Sequence, residues 1–240
     1  MNNHLESQLK DALTNINKEE LKVTYLDQEE TLVIDNFLPE EVLQEITNAL
    51  PKIEDCIHRN YIPSHKKGGS ISRYDLDKNI SIIPEIYKSE SLRDFFEYLS
   101  DRSLLDCPEN DPHTYALYSY TEEGDHIGYH YDTSYYKDSR YTLLLGLVDN
   151  SSCKLECQLY KNNPQRETKK IDIIVSPGTM VFFNGDKLWH RVTPMGIDEH
   201  RVVLTMEFLT NAQMSFIGRF VSNMKDSIAY FGFKQVFSKK

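Results

Sequence analysis

The run Tyr141-Thr142-Leu143-Leu144-Leu145-Gly146-Leu147-Val148 is apolar at nearly every position and stops at Asp149-Asn150. A run this short, closed by turn residues, reads as a strand covered on both faces. It therefore demands a layer on each side. Neighbouring segments supply them: Thr114 to Tyr120, a strand ending at His130, Lys154 to Tyr160, Lys170 to Val175, Thr179 to Phe183, His190 to Val192 and Arg201 to Leu209. Turn signals such as Glu122-Glu123-Gly124-Asp125, Ser176-Pro177-Gly178 and Asn184-Gly185-Asp186 separate them. About eight short antiparallel strands at this spacing predict a mainly β fold with flanking helices. The expected architecture is a double-stranded β-helix, a cupin-like jelly roll whose open end can hold a ligand.

At 240 residues and 40% hydrophobic, the chain can bury a sizeable core as a single domain spanning 1–240. Within it, 1–110 reads as helical support plus a lid loop, 111–210 as the jelly-roll core and 211–240 as a C-terminal helical segment. Leu5, Leu9, Leu13 and Ile16 recur at helical spacing. Glu30 to Phe37 is β-rich, and Pro39 with Glu40-Glu41 opens a helix whose apolar face carries Val42, Leu43, Ile46 and Leu50. A further helix packs Leu92, Phe95, Phe96, Leu99 and Leu104 on the sheet. Pro51 to Pro84 has little periodicity and contains Gly68-Gly69, so it reads as a substrate-covering loop, with an ordinary surface excursion as the alternative. The aromatic stretch Phe216 to Phe237 is expected to cover the barrel, with a homodimer contact as the alternative.

The net charge of −10 repels phosphate backbones and argues against nucleic acid as a partner. No apolar run is long enough to span a membrane, and the start lacks a signal peptide's basic and apolar regions, so the expected location is cytoplasmic. Cys56, Cys107, Cys153 and Cys157 are too few and too scattered for a disulfide framework and read as thiols.

The chemistry lies in Tyr129-His130-Tyr131-Asp132. In an extended run, residues two apart share a face, so an imidazole and a carboxylate can meet at one point. His190, in Leu188-Trp189-His190-Arg191-Val192, offers a second imidazole, and Arg201 follows eleven residues later. Two histidines and one carboxylate leaving open positions is an arrangement that suits non-heme Fe(II) oxygenases.

The order His-x-Asp, strands, His190 before Val192-Thr193-Pro194, then Arg201 on a last strand resembles the Fe(II)/2-oxoglutarate dioxygenases from about Val33 to Thr210. The resemblance implies that His130, Asp132 and His190 hold Fe(II), with 2-oxoglutarate and O2 as cosubstrates. Arg201 would receive the distal carboxylate of 2-oxoglutarate through its fork of donors, and Thr205 shares its strand face. Tyr120 matches a tyrosine some members use beside 2-oxoglutarate; a core aromatic is the alternative. Asp132 also bears on outcome. In related halogenases a small residue stands there and frees a position for chloride, so hydroxylation is expected here.

Several stretches, among them His65 to Arg73, Gly124 to Tyr136 and Arg140 to Asn150, resemble the bacterial free-lysine halogenase and hydroxylase group. That likeness implies a free amino acid substrate, L-lysine, with Arg73 on its α-carboxylate; a surface ion pair is the alternative for Arg73. His126 and Thr133 flank the iron ligands as further substrate contacts, although His126 in a turn can equally be solvated. A buried ammonium needs an acid, and Glu122, Glu123, Asp125 and Glu207 are available. Two other functions share these features: a peptidyl, prolyl-type hydroxylase with an open groove, and a non-catalytic metal-binding jelly roll, which would have no need of Arg201.

Overall fold

The computed structural model describes residues 3–132 and 136–214. Helices α1 (Asn3–Thr14) and α2 (Lys18–Asp27) open the chain. Leu5, Leu9 and Leu13 are buried along α1. Asn17 then accepts from the Glu20 amide at 3.3 Å, a side-chain cap that divides the helical preface in two. Strand β1 (Thr31–Ile34) leads to α3 (Glu40–Ala49), which begins directly after Pro39 as expected.

Next come β2 (His58–Ile62), β3 (Lys66–Ser72), α4 (Arg73–Asn79), α5 (Ile82–Tyr87), α6 (Glu90–Ser100) and the short β4 (Leu105–Asp106). The β-rich remainder comprises β5 (Tyr115–Tyr120), β6 (His126–His130), β7 (Arg140–Asn150), β8 (Leu155–Leu159), β9 (Lys169–Ile173), β10 (Met180–Asn184), β11 (Trp189–Val192) and β12 (His200–Leu209). The twelve strands form one sheet in the order β1-β10-β7-β12-β5-β3-β6-β11-β8-β9, with β2 added to β3 and β4 to β12.

The sheet curls on itself, because one buried cluster joins its two halves. Tyr120, Leu144, Val181, Phe183 and Val203 come from the first half and meet Ile127, Leu155, Cys157 and Val192 from the second. The other face of β7 and β12 carries Leu143, Leu145, Leu204, Met206 and Phe208, which pack with Phe95, Phe96 and Leu99 of α6; Phe96 stacks on Phe182 with ring centroids 4.2 Å apart. β7 is therefore covered on both sides, as its apolar run demanded. This is the double-stranded β-helix. Cys107, Cys153 and Cys157 are buried free thiols.

The stretch expected to be an irregular lid is instead a hairpin within the sheet. β3 pairs with β2, β5 and β6, so Gly68-Gly69 lies in a strand interior. The glycines serve close approach: a Cβ on Gly69 would stand 2.5 Å from Ile57 Cγ2 and 3.0 Å from the Ser119 carbonyl, and one on Gly68 would stand 3.3 Å from the Tyr120 ring. The C-terminal segment and its homodimer alternative lie outside the described residues. Among the described residues, no helix is long and apolar enough to cross a membrane.

Gly146 has the tightest surroundings of the described glycines. Its amide donates to Thr179 O at 3.0 Å and its carbonyl accepts from Gly178 at 2.9 Å, while a Cβ would lie 2.1 Å from Ser176 O. Backbone cannot yield as a flexible side chain can, so Gly146→Ala is expected to lower stability by about 3 kcal/mol, at the upper end of overpacking costs. A urea midpoint equal to that of the unaltered protein would contradict this.

Candidate metal centre and active site

β6 and β11 pair so that His130 stands opposite His190, and the register shifts before Val192 meets Ile127. The irregularity matters because it re-aims side chains. Ile127 joins the interior cluster, and His130, three residues on, also reaches the interior beside His190, with ring centroids 4.3 Å apart. Asp132 follows just beyond β6. Its Oδ1 lies 3.2 Å from His130 Nε2 and 3.7 Å from His190 Nε2. One ligand atom from each of the three residues falls within a 4.8 Å set.

The far side of each imidazole is fixed by backbone. His130 Nδ1 is 2.8 Å from Gly128 O, and His190 Nδ1 is 3.0 Å from Leu188 O. Nδ1 therefore carries the proton and donates to the carbonyl, so each Nε2 lone pair faces the centre. Burial, with His130 as neighbour, pushes His190 down to about 4 and keeps it neutral, the form that ligates metal. For Asp132, burial alone would raise the carboxyl, but His190, His130 and Arg140 outweigh it and hold the group far below the usual carboxylate range. Two neutral nitrogen donors and one anionic oxygen fit Fe(II).

Asp132 is held from outside as well. Thr142 Oγ1 is 2.9 Å from Asp132 Oδ2 and 2.9 Å from Glu207 Oε2, and Arg140 Nε donates to Glu207 Oε2 at 2.7 Å. A Cβ on Gly185 would stand 2.8 Å from Asp132 Cβ, so the Asn184-Gly185-Asp186 turn closes over the carboxylate only because glycine is there. Sequence reasoning missed Thr142, Arg140 and Gly185 as site residues. One signal was present: Thr142 is the polar position of an otherwise apolar run. His65, in the turn of the β2–β3 hairpin, stands edge-on to His130 at 6.2 Å between ring centroids, and its carbonyl accepts from Gly128 N at 2.6 Å.

Arg201 begins the inward face of β12 and is only 2% exposed. Its guanidinium lies 5.4 Å from the centre of the Tyr120 ring, and Arg201 and Tyr120 are register partners. Among the described residues no carboxylate forms an ion pair with it. A buried fork of donors without an acid fits an external carboxylate, which is the fit that 2-oxoglutarate requires. Thr205 lies on the same face, but its hydroxyl donates to Ala116 O at 3.2 Å, so its proton is committed to the strand.

The substrate candidates divide. Arg73 starts α4, donates through Nη1 to Thr114 Oγ1 at 3.0 Å and lies over Tyr115. His126 is not brought to the site: its neighbour Ile127 points inward, so by alternation His126 points outward, and its Nδ1 lies 2.8 Å from Gly124 O. Thr133 lies outside the described residues. Of the four acids, Glu122 pairs with Arg59 and Lys67, and Glu123 is exposed. Asp125 is enclosed by Arg59 and by the Thr121 and Glu122 amides. Glu207 alone of these lies inside the barrel.

Asp125 anchors the turn before β6. Its burial (0% exposed) works to raise the carboxyl, but the Arg59 hydrogen bonds and the two amides prevail and hold it below the ordinary value. A native carboxyl below its unfolded value adds stability above the unfolded pKa, near 4, and loses it as pH falls through the lower native value. Asp125→Asn should therefore cost about 2–3 kcal/mol at neutral pH, less than a fully buried pair because Arg59 is partly exposed. Denaturation from pH 7 to pH 3 should show the gap between the two proteins steady down to about pH 4 and narrowing below it; a gap that widens in acid would refute the assignment.

Comparison with known proteins agrees with this geometry. Residues 7–145 match the family Halogenase D, and residues 115–208 match the 2OG-Fe(II) oxygenase superfamily. No curated protein matches the chain at a significant level. Among solved structures, the α-ketoglutarate-dependent epimerase SnoN of nogalamycin biosynthesis is similar at TM-score 0.65 and 11% identity, over 80% of each chain. A prolyl hydroxylase from Trichoplax adhaerens, solved with a hypoxia-inducible-factor peptide fragment, aligns at TM-score 0.60 and 13% identity over 88% of this chain and 94% of its own. A Pseudomonas putida prolyl-4-hydroxylase aligns at TM-score 0.58 and 14% identity over 81% and 98%. These likenesses speak for the fold. The chain belongs to the Halogenase D family within the 2OG-Fe(II) oxygenases, and is an oxygenase whose cofactor is Fe(II) and whose cosubstrates are 2-oxoglutarate and O2.

Proposed function

We propose that the protein hydroxylates an unactivated carbon of a free amino acid, L-lysine. The observation that carries this reading is the Asp132 carboxylate facing the Nε2 atoms of His130 and His190. With an acid as third ligand, the position that a halogenase keeps for chloride is filled. The family match over 7–145 also spans Arg73, His130 and Asp132, stretches that resemble the free-lysine group.

When bound, Fe(II) with 2-oxoglutarate and O2 supplies the oxidising chemistry, with succinate and CO2 released and one oxygen atom delivered to substrate. The chain's residues bind and orient. His130, Asp132 and His190 hold the metal through two Nε2 atoms and one carboxylate oxygen. Arg201, backed by the Tyr120 ring, grips the distal carboxylate of 2-oxoglutarate, and Thr205 fills the wall beside it. Arg73 takes the α-carboxylate of the amino acid through its guanidinium fork; its Nε makes no hydrogen bond and stands 3.7 Å from Asp77 Oδ2, so the substrate carboxylate would share the cation with that acid. Glu207, acidic and inside the barrel, offers Oε1 to a substrate ammonium. His65, in the hairpin turn, stands edge-on to the His130 ring and covers that side of it in part.

The test is succinate release under air with Fe(II) and 2-oxoglutarate across the twenty free amino acids, with mass spectrometry of each product. A lysine-dependent rise with a gain of one oxygen is expected. Stimulation by a proline-containing peptide and by no free amino acid would replace this reading with the peptidyl one.

A further inference from the structure

The two oxygens of Asp132 face different ways, Oδ1 to the imidazoles and Oδ2 to Thr142. A carboxylate can bind a metal through one oxygen or two. An octahedral ion held by two imidazoles and one carboxylate oxygen keeps three positions, enough for a chelating 2-oxo acid and O2. A second carboxylate oxygen would take one of them.

Oδ1 points to both histidines, at 3.2 and 3.7 Å. Oδ2 points away and meets Thr142 Oγ1 at 2.9 Å. That hydroxyl also lies 2.9 Å from Glu207 Oε2, and it has one proton. It therefore bridges the outward oxygen of Asp132 to Glu207. Glu207 Oε2 is in turn held by Arg140 Nε. The contacts run from Asp132 through Thr142 to Glu207. Arg140 Nε fixes their far end at 2.7 Å.

The two outer members, Thr142 and Glu207, are held by the fold. They are register partners across β7 and β12, and both are buried. Gly185 N donates to Arg140 O at 2.8 Å, which seats the glycine turn against the Asp132 Cβ.

We propose that Thr142, set in place by the Glu207–Arg140 pair, is a positioning residue that holds Asp132 to one-oxygen coordination and so keeps three metal positions open. This rests on the iron reading given above. Thr142 would touch neither metal nor cosubstrate; it acts through Asp132. Outer partners of metal ligands commonly change metal affinity by about 10–100-fold when removed.

The test uses Thr142→Val, which keeps the shape and loses the hydroxyl, and Thr142→Ser, which keeps the hydroxyl. Fe(II) affinity is measured by anaerobic titration, and 2-oxoglutarate chelation by the visible charge-transfer band of the Fe(II) complex, with thermal unfolding of the metal-free proteins alongside. Thr142→Val should lose about 10–100-fold in Fe(II) affinity and shift or weaken the band, while Thr142→Ser stays near the unaltered protein. A purely structural role would lower the unfolding temperature and leave band and affinity alone. Thr142→Ala reads the same loss if the valine variant does not fold. Native affinity and an unchanged band in a folded hydroxyl-less variant would overturn the inference and leave the iron reading standing. Failure of the unaltered protein to bind Fe(II) would remove both.

Discussion

His190→Ala is expected to abolish turnover, with Fe(II) affinity reduced by on the order of 10³-fold, beyond the 10–100-fold typical of a lost outer partner. His190 is one of three ligand candidates, and its environment leaves it little else to do. The ring is buried, kept neutral, and tied through Nδ1 to Leu188 O, so its Nε2 has only the centre to face. The substitution also opens a small cavity beside Phe183, whose ring is 5.0 Å away. Stability should fall modestly in consequence. Metal titration separates the two effects, because a packing loss alone leaves Fe(II) affinity near its original value. If His190→Ala bound Fe(II) as the unaltered protein does, the assignment of this histidine would be withdrawn.

The second large effect concerns the cosubstrate. Arg201→Ala removes a buried cation that has no acidic partner among the described residues, so the incoming carboxylate would be left buried and unpaired. Loss of one partner of such a pair costs about 3–5 kcal/mol, which corresponds to a rise of about 10²–10⁴-fold in the KM for 2-oxoglutarate. Arg201→Lys should recover only part of it, since an ammonium cannot match two carboxylate oxygens as a planar fork does. Fe(II) affinity should be unchanged in both, and this pattern distinguishes Arg201 from the metal ligands. A KM for 2-oxoglutarate that does not move in Arg201→Ala would assign the distal carboxylate to another residue.

His190 and Arg201 were both legible in the chain, for different reasons. Arg201 opens an apolar run whose alternation fixes its face: Val203 points to the interior cluster, and Arg201 and Thr205 follow by period two. His190 was found through the order of its neighbours and not through any local pattern. Where alternation is broken, a local pattern misleads. His126 and His130 are four apart and should share a face, but the irregularity between β6 and β11 places Ile127 inside with His130 and turns His126 out. The glycine pair in β3 misled in another way. Gly68-Gly69 has the composition of a mobile loop, and only the neighbours that a side chain would strike reveal why a strand needs glycine there.

Local properties of the sequence, hydrophobic periodicity and side-chain chemistry, were enough to read α1, α3, α6, β1 and β5 to β12 with their buried faces, and the residue types able to bind a metal and an acidic cosubstrate. Tertiary structure alone decided which strands lie beside one another. Pairing of β6 with β11 brings His130 to His190, and pairing of β7 with β12 sets Thr142 and Glu207 behind Asp132. Register between distant strands follows from how the whole sheet curls and packs, and a single shift of one residue reverses every face, so no local stretch of the chain encodes it.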